Sequence, residues 1–291
     1  MSTNLETPHK NTIALFKNKK QNQPPITMVT AYDYTSALIA DAAGLDVILV
    51  GDSLGMVMMG HENTLQVSMD IMVYHCQCVS RAVKHAFVIA DMPFLSYQIS
   101  NEEAVRNAGR LISEGGANAV KLEGGMEFKS VIKAILHAGI PVMGHLGLTP
   151  QSVNQMGGFL MQARQSDQAL KLMDDAHCLQ ETGCFGLVLE SIPANLAAYV
   201  SEHLQIPTIG IGAGNGCDGQ VLVWQDILGL NADFHPKFVK TYANLHQTIT
   251  DALTQYQQDV QTRAFPSTEH SREMDESEWK HFLGCMPSRE D

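Results

Sequence analysis

The sequence predicts a closed (β/α)8 barrel, on three observations. From residue 26 to about residue 230, short runs rich in Val and Ile alternate with helical patterns. The runs are continuously apolar rather than alternating, as parallel strands buried on both faces must be. Eight can be marked, at 27–30, 47–50, 87–90, 119–122, 141–144, 186–189, 207–210 and 220–224, the last being the weakest. Repeated β-then-α units give a parallel sheet, and 291 residues accommodate a barrel whose usual size is about 250. A doubly wound open sheet is the runner-up, weakened because no Gly-x-Gly-x-x-Gly follows the first strand.

In chain order, a helical pattern at 12–19 precedes the first strand and is expected to cap the barrel bottom. The second strand runs into Gly51-Asp52-Ser53. Residues 69–85 form a long helical pattern; its His75, Cys76 and Cys78 sit at i, i+1 and i+3, which do not converge as metal ligands, so ordinary packing is expected. The third strand ends in Asp91, and Ser100-Asn-Glu-Glu103 is a capping box opening a helix that stops near Gly115-Gly116. The fourth strand carries Lys121 and runs into Glu123; an amphipathic helix at 128–138 then stops at Gly139. Gly144-His145-Leu-Gly147-Leu-Thr-Pro150 follows the fifth strand. The sixth ends in Glu190, with Pro193 opening the next helix. Gly210-Ile-Gly-Ala-Gly-Asn-Gly216 after the seventh is placed like a barrel phosphate loop but holds no Lys or Arg. The expected division is an N-terminal segment at 1–25, a catalytic barrel at 26–265 and an acidic tail at 266–291. That tail, whose large apolar groups are Met274, Trp279 and Phe282, is expected to be flexible or to dock on a neighbouring subunit.

A net charge of −12 disfavours a nucleic-acid partner. No apolar run reaches the roughly 20 residues that span a bilayer, and the polar start does not read as a secretory signal. Six cysteines without a Cys-x-x-Cys pair read as reduced thiols, which makes the cytoplasm the expected compartment.

Four strands that end in an acid are the strongest sign of an enzyme. In a barrel the active site lies at the C-terminal strand ends, where Asp52, Asp91, Glu123 and Glu190 all fall. The first three offer only oxygen, a set that suits Mg2+ rather than zinc. The alternative is that they cap helices or pair with Lys and Arg. Lys121 and Glu123, two apart on one strand, share the interior face. They form either a structural ion pair or, with Lys121 as a cation, a seat for a substrate oxygen. Glu190, away from the metal acids, is a candidate general base or a hydrogen-bond acceptor for other groups. His145 is a candidate hydrogen-bond partner of a substrate oxygen or a structural histidine.

A longer pattern surrounds these residues. Thr30-Ala-Tyr-Asp-Tyr34, Val50-Gly-Asp-Ser-Leu-Gly55, Ala90-Asp-Met-Pro-Phe94, Val120-Lys-Leu-Glu-Gly-Gly125 and Gly144-His-Leu-Gly-Leu-Thr-Pro-Gln-Ser-Val153 stand in order. Leu189-Glu-Ser-Ile-Pro193, Ile209-Gly-Ile-Gly-Ala-Gly-Asn215 and Pro236-Lys-Phe-Val-Lys240 follow. The chain resembles the ketopantoate hydroxymethyltransferase (3-methyl-2-oxobutanoate hydroxymethyltransferase) family over roughly residues 10 to 271. The resemblance implies a barrel of the phosphoenolpyruvate/pyruvate type, one Mg2+ per subunit and a homodecamer. It implies that 5,10-methylenetetrahydrofolate donates a hydroxymethyl unit to 3-methyl-2-oxobutanoate, giving 2-dehydropantoate, the first step of pantothenate synthesis. By resemblance Asp52, Asp91 and Glu123 are metal residues, Asp52, Ser53, Asp91 and Lys121 hold the keto acid, and Glu190 accepts the proton. The alternatives are a Mg2+-dependent C–C lyase or phosphonomutase of the same barrel superfamily, and a catalytically dead barrel serving as a scaffold. The extension 272–291 lies outside the resemblance.

Overall fold

The computed structural model describes residues 10–21, 24–231 and 236–287. Eight parallel strands close in sequence order. They are β1 (Ile26–Thr30), β2 (Val47–Val50), β3 (Phe87–Asp91), β4 (Ala119–Lys121), β5 (Val142–Gly147), β6 (Gly186–Glu190), β7 (Thr208–Ile211) and β8 (Gly219–Leu222). β8 closes on β1 through the register Ile26↔Gly219 to Val29↔Leu222. The connections carry helices α1 (Ala14–Gln21), α2 (Tyr34–Ala42), α3 (Leu54–Val57), α4 (Met69–Ala82), α5 (Asn101–Ser113) and α6 (Lys129–His137). After β5 come α7 (Val153–Met156), α8 (Ser166–Thr182), α9 (Ala194–His203), α10 (Trp224–Ile227), α11 (Leu245–Gln261) and α12 (Glu276–Cys285).

Two apolar layers follow from the period-two alternation of strand side chains. Outward residues such as Ile48, Val88, Val120 and Leu187 pack under the helices. Inward residues such as Val47, Leu49, Phe87, Ile89, Ala119, Met143 and Val188 fill the barrel. The bottom is closed by α1, whose Phe16 meets Phe87 and Phe185 edge-on at 5.5 and 4.7 Å. Charges there pair singly: Lys19 with Asp46 and Lys20 with Asp218, each at 2.9 Å.

The expected helix start at Ser100 is present, its hydroxyl accepting the Glu103 N–H at 3.1 Å. β5 runs three residues past the expected end because its pairing with β6 continues to Gly147↔Glu190. Two of the glycines of 210–216 have a packing reason. A Cβ on Gly214 or Gly216 would collide with Ala194 or Ala198 of α9. All six cysteines are free, and Cys76 is buried as core. In the tail, where flexibility or docking was expected, 276–285 is helical, with Trp279, Phe282 and Leu283 exposed. The tail's last residues, 288–291, lie outside the described residues.

Candidate active site

The alternation that fills the barrel also builds the site. On β3 the inward series Phe87, Ile89 continues to Asp91; on β4, Ala119 continues to Lys121 and Glu123. On β5, Met143 continues to His145; on β6, Val188 continues to Glu190. The top inward layer of four consecutive strands is therefore polar. Asp91 and Lys121 are register partners, and their charged atoms lie 3.0 Å apart. The sequence left Glu123 open as a strand-mate for Lys121; the partner is instead Asp91, on the adjacent strand.

Asp52 arrives differently. β2 stops at Val50, and Gly51 takes the inward position with no side chain. A Cβ there would stand 2.8 Å from the Ser53 hydroxyl and 3.4 Å from Asp91 Oδ2. The chain turns, the Asp52 N–H donates to Asp91 Oδ2 at 3.1 Å, and Asp52 Oδ2 accepts from the Gln151 amide at 2.8 Å. Ser53 Oγ lies 2.9 Å from the Tyr32 hydroxyl. Glu123 turns one oxygen to the Gln151 backbone N–H at 3.0 Å. Among the described residues no three His, Cys, Asp or Glu side chains form a ready-made metal cage. Asp52 and Asp91 are adjacent, and Glu123 stands back from them on Gln151.

Lys121 donates to His145 Nδ1 at 3.2 Å. A donor at Nδ1 requires a lone pair there, so the imidazole proton sits on Nε2. Burial and the Lys121 charge both hold the His145 pKa well below its ordinary value, and the ring is neutral. Nε2 is buried, lies 3.2 Å from Glu190 Oε2 and borders the Leu148 backbone. Asp91 Oδ1 is buried against the Lys121 ammonium.

The electrostatics are lopsided. Asp52, Asp91, Glu123 and Glu190 share one cation, Lys121, among the described residues. Burial, then the Asp91 charge, pushes the Asp52 carboxyl up to about 7. Burial raises Glu190 to about 7 as well, against the pull of Lys121. Glu123 is raised well above its ordinary value by burial and by Asp52. Burial disfavours the Lys121 ammonium, but Asp91, Glu123 and Asp52 overcome it and its pKa is raised.

The sequence reading assigned no role to Tyr97, Gln151 or Tyr32. The Tyr97 hydroxyl donates to the Glu123 carbonyl at 3.0 Å, and the Gln151 amide also donates to the Met92 carbonyl at 2.9 Å. Gln151 thus ties the loop after β5 to the ends of β2, β3 and β4. Its only sequence signal was membership of the long Gly144–Val153 string. Gly147 (φ +94) seats that loop directly on the Glu190 carbonyl, which a Cβ would strike; the Leu148 N–H donates to that carbonyl at 2.8 Å.

A parallel barrel whose C-terminal rim buries this ionisable cluster defines a (β/α)8 enzyme. Solved structures agree on the fold. Phosphonopyruvate hydrolase matches with a TM-score of 0.59 at 12% identity, covering 94% of this chain and 95% of that one. 2,3-Dimethylmalate lyase, a PEP mutase/isocitrate lyase superfamily member, matches with 0.56 at 14%, covering 95% and 96%. The family model for ketopantoate hydroxymethyltransferase matches residues 10–268. The 3-methyl-2-oxobutanoate hydroxymethyltransferase of Clostridioides difficile (strain 630) is 53% identical over 92% of this chain and 98% of its own length. That of Pelobacter propionicus is 56% identical over 90% and 97%. The chain belongs to the ketopantoate hydroxymethyltransferase family and is a hydroxymethyltransferase. Among the described residues no helix is long and apolar enough to cross a membrane.

Proposed function

We propose that the enzyme moves a hydroxymethyl group from 5,10-methylenetetrahydrofolate to 3-methyl-2-oxobutanoate, with Mg2+ at the β2–β3 rim and Glu190 as the base. The observation that carries this reading is the charge imbalance of the pocket. Four buried or half-buried carboxylates share one ammonium; burial raises Asp52, Glu123 and Glu190, and neighbouring carboxylates add to it at Asp52 and Glu123. A divalent cation offsets that excess. The oxygen donors suit Mg2+, and Asp91 Oδ1, which faces the Lys121 ammonium at 3.0 Å, keeps a second lone pair. Asp52 and Asp91 would hold the ion, with Glu123 behind them. A phosphonopyruvate hydrolase of the same fold has been crystallised with oxalate and Mg2+ (TM-score 0.58, 12% identity, covering 89% of this chain and 93% of that one). When bound, Mg2+ supplies Lewis-acid polarisation of the substrate carboxylate and keto oxygen.

The chain's own groups do the rest. The Ser53 hydroxyl, steadied by Tyr32, orients the substrate carboxylate. Glu190 takes the C3 proton; a carboxyl raised to about 7 is a better base than an ordinary one and is still half ionised at neutral pH. Lys121 stabilises the negative charge that grows on the keto oxygen, and the His145 Nε2–H beside Glu190 offers a further donor. The C3 carbon attacks the one-carbon unit, water provides the hydroxyl oxygen, and tetrahydrofolate leaves. The homodecamer and the cytoplasmic setting belong to the same proposal; the exposed apolar residues Ile249, Leu253 and Tyr256 of α11 support assembly.

The test is product formation followed by NMR in mixtures lacking one component at a time. Dehydropantoate is expected only with keto acid, methylenetetrahydrofolate and Mg2+ together. Cleavage of a branched hydroxy acid in place of that product would transfer the protein to the lyases, and ligand binding with no turnover would make it a scaffold.

A further inference from the structure

Gln151 touches two acids of the metal side, one through its backbone and one through its side chain. It is the buried middle residue of a 3-10 turn at 150–152 that Pro150 opens. The first N–H groups of such a turn have no acceptor within it. The Gln151 N–H goes to Glu123 Oε2 at 3.0 Å, and the side-chain amide goes to Asp52 Oδ2 at 2.8 Å. The second proton of that amide goes to the Met92 carbonyl at 2.9 Å. Both groups facing the nitrogen are acceptors, so the amide has one workable orientation. Its oxygen then faces the Tyr97 hydroxyl at 3.2 Å and the Gln98 amide at 3.3 Å. With both protons and the carbonyl engaged, the amide is a fixed support.

Asp52 needs such a support. It stands on a turn beyond the end of β2, where the Asp91 charge repels its carboxylate and the Lys121 charge attracts it. Lys121 pairs with Asp91 at 3.0 Å, and among the described residues Asp52 forms no ion pair. Among those residues the Gln151 amide is also the one side-chain donor to Asp52. A carboxylate swung onto Lys121 would be neutralised there. A neutral amide holds it by one oxygen, adds no charge and leaves Oδ1 for a cation. A lysine or arginine in the same place would cancel the charge that a cation needs.

We propose that Gln151 is the positioning residue of the metal side, holding Asp52 away from Lys121 with one oxygen free for Mg2+. The proposal rests on the reading that Asp52 and Asp91 hold Mg2+, and it adds what orients the first of them.

The test is calorimetric titration of Mg2+ into the full chain with 3-methyl-2-oxobutanoate present. Gln151→Met keeps the backbone N–H that holds Glu123 and loses the donor to Asp52. Its Mg2+ affinity is expected to fall by about 10–100-fold, the usual scale for a group that orients a metal ligand. Gln151→Asn, whose amide is one methylene shorter, is expected to lose less. In deuterium exchange at C3 of the keto acid, the Mg2+ concentration for half-maximal rate should rise with the dissociation constant, with a much smaller fall in the plateau rate. Asn107→Ala provides the comparison for loosening alone. It removes a buried hydrogen bond to the Ser96 carbonyl, 2.8 Å, that fastens the loop after β3. That variant should bind Mg2+ within about threefold of wild type. Wild-type Mg2+ affinity in Gln151→Met and Gln151→Asn, a lowered plateau with an unchanged Mg2+ requirement, or an equal loss in Asn107→Ala overturns the proposal. Absence of Mg2+ binding by wild type overturns the metal reading itself, and the role of Gln151 with it.

Discussion

The two ends of the barrel treat charge in opposite ways. At the bottom Lys19 and Lys20 each have their own aspartate, Asp46 and Asp218, and each pair is further tied to a strand. Asp46 accepts the Thr27 N–H at 2.8 Å, and Asp218 accepts the Thr208 N–H at 2.8 Å. Phe16 then seals the interior. At the top, Asp52, Asp91, Glu123 and Glu190 crowd around Lys121, and the carboxyl groups of Asp52 and Glu190 are pushed up to about 7. One end is satisfied by the chain alone. The other is left short of positive charge, a cost to stability that makes sense where a cation and an anionic substrate arrive. The contrast teaches where to look for function in a barrel: at the end whose charges do not balance.

Substitutions at the two ends should therefore separate activity from stability. The largest effect on rate is expected at the top, from Glu190→Gln, with kcat falling by about 10²–10⁴ while calorimetry shows keto acid and Mg2+ still bound. Lys121→Met removes the one cation from buried carboxylates and should cost both properties: about 3–5 kcal/mol by denaturant unfolding without metal, and most of the activity. At the bottom, Phe16→Ala should cost a similar ~3–5 kcal/mol in unfolding yet leave kcat near wild type at a temperature where the variant stays folded. A large fall in its kcat would break the separation of the ends. Lowering the pH provides a graded test. As the proposed base Glu190 must be ionised, and burial pushes its carboxyl up to about 7, so kcat/KM is expected to fall about tenfold per unit below that value. The smallest effect is expected from Lys19→Met, about 1 kcal/mol or less of stability and no change in rate.

How much was readable in advance follows the same division. β2 was legible to the residue, because Val47–Val50 is an uninterrupted apolar run on a fully buried strand. The end of β5 was not: His145 and Gly147 are not strand-like residues, and only the partner strand extends the pairing to them. Asp91, Lys121, Glu123 and Glu190 were legible because each interrupts or ends an apolar run. The Asp91–Lys121 pair was not, since register between strands leaves no mark within either one. Gln151 and Tyr97 were invisible for a related reason. Their hydrogen bonds to Asp52 and Glu123 exist only once the loops after β3 and β5 close over the rim.

The most direct test of the unequal ends is hydrogen exchange at C3 of 3-methyl-2-oxobutanoate in D2O, with Mg2+ and without folate, for wild type, Glu190→Gln and Phe16→Ala. Wild type and Phe16→Ala should wash deuterium into C3 at similar rates, and Glu190→Gln should not. Exchange by Glu190→Gln at the wild-type rate would contradict the assignment of the base, and with it the claim that the unbalanced rim is where the chemistry is done.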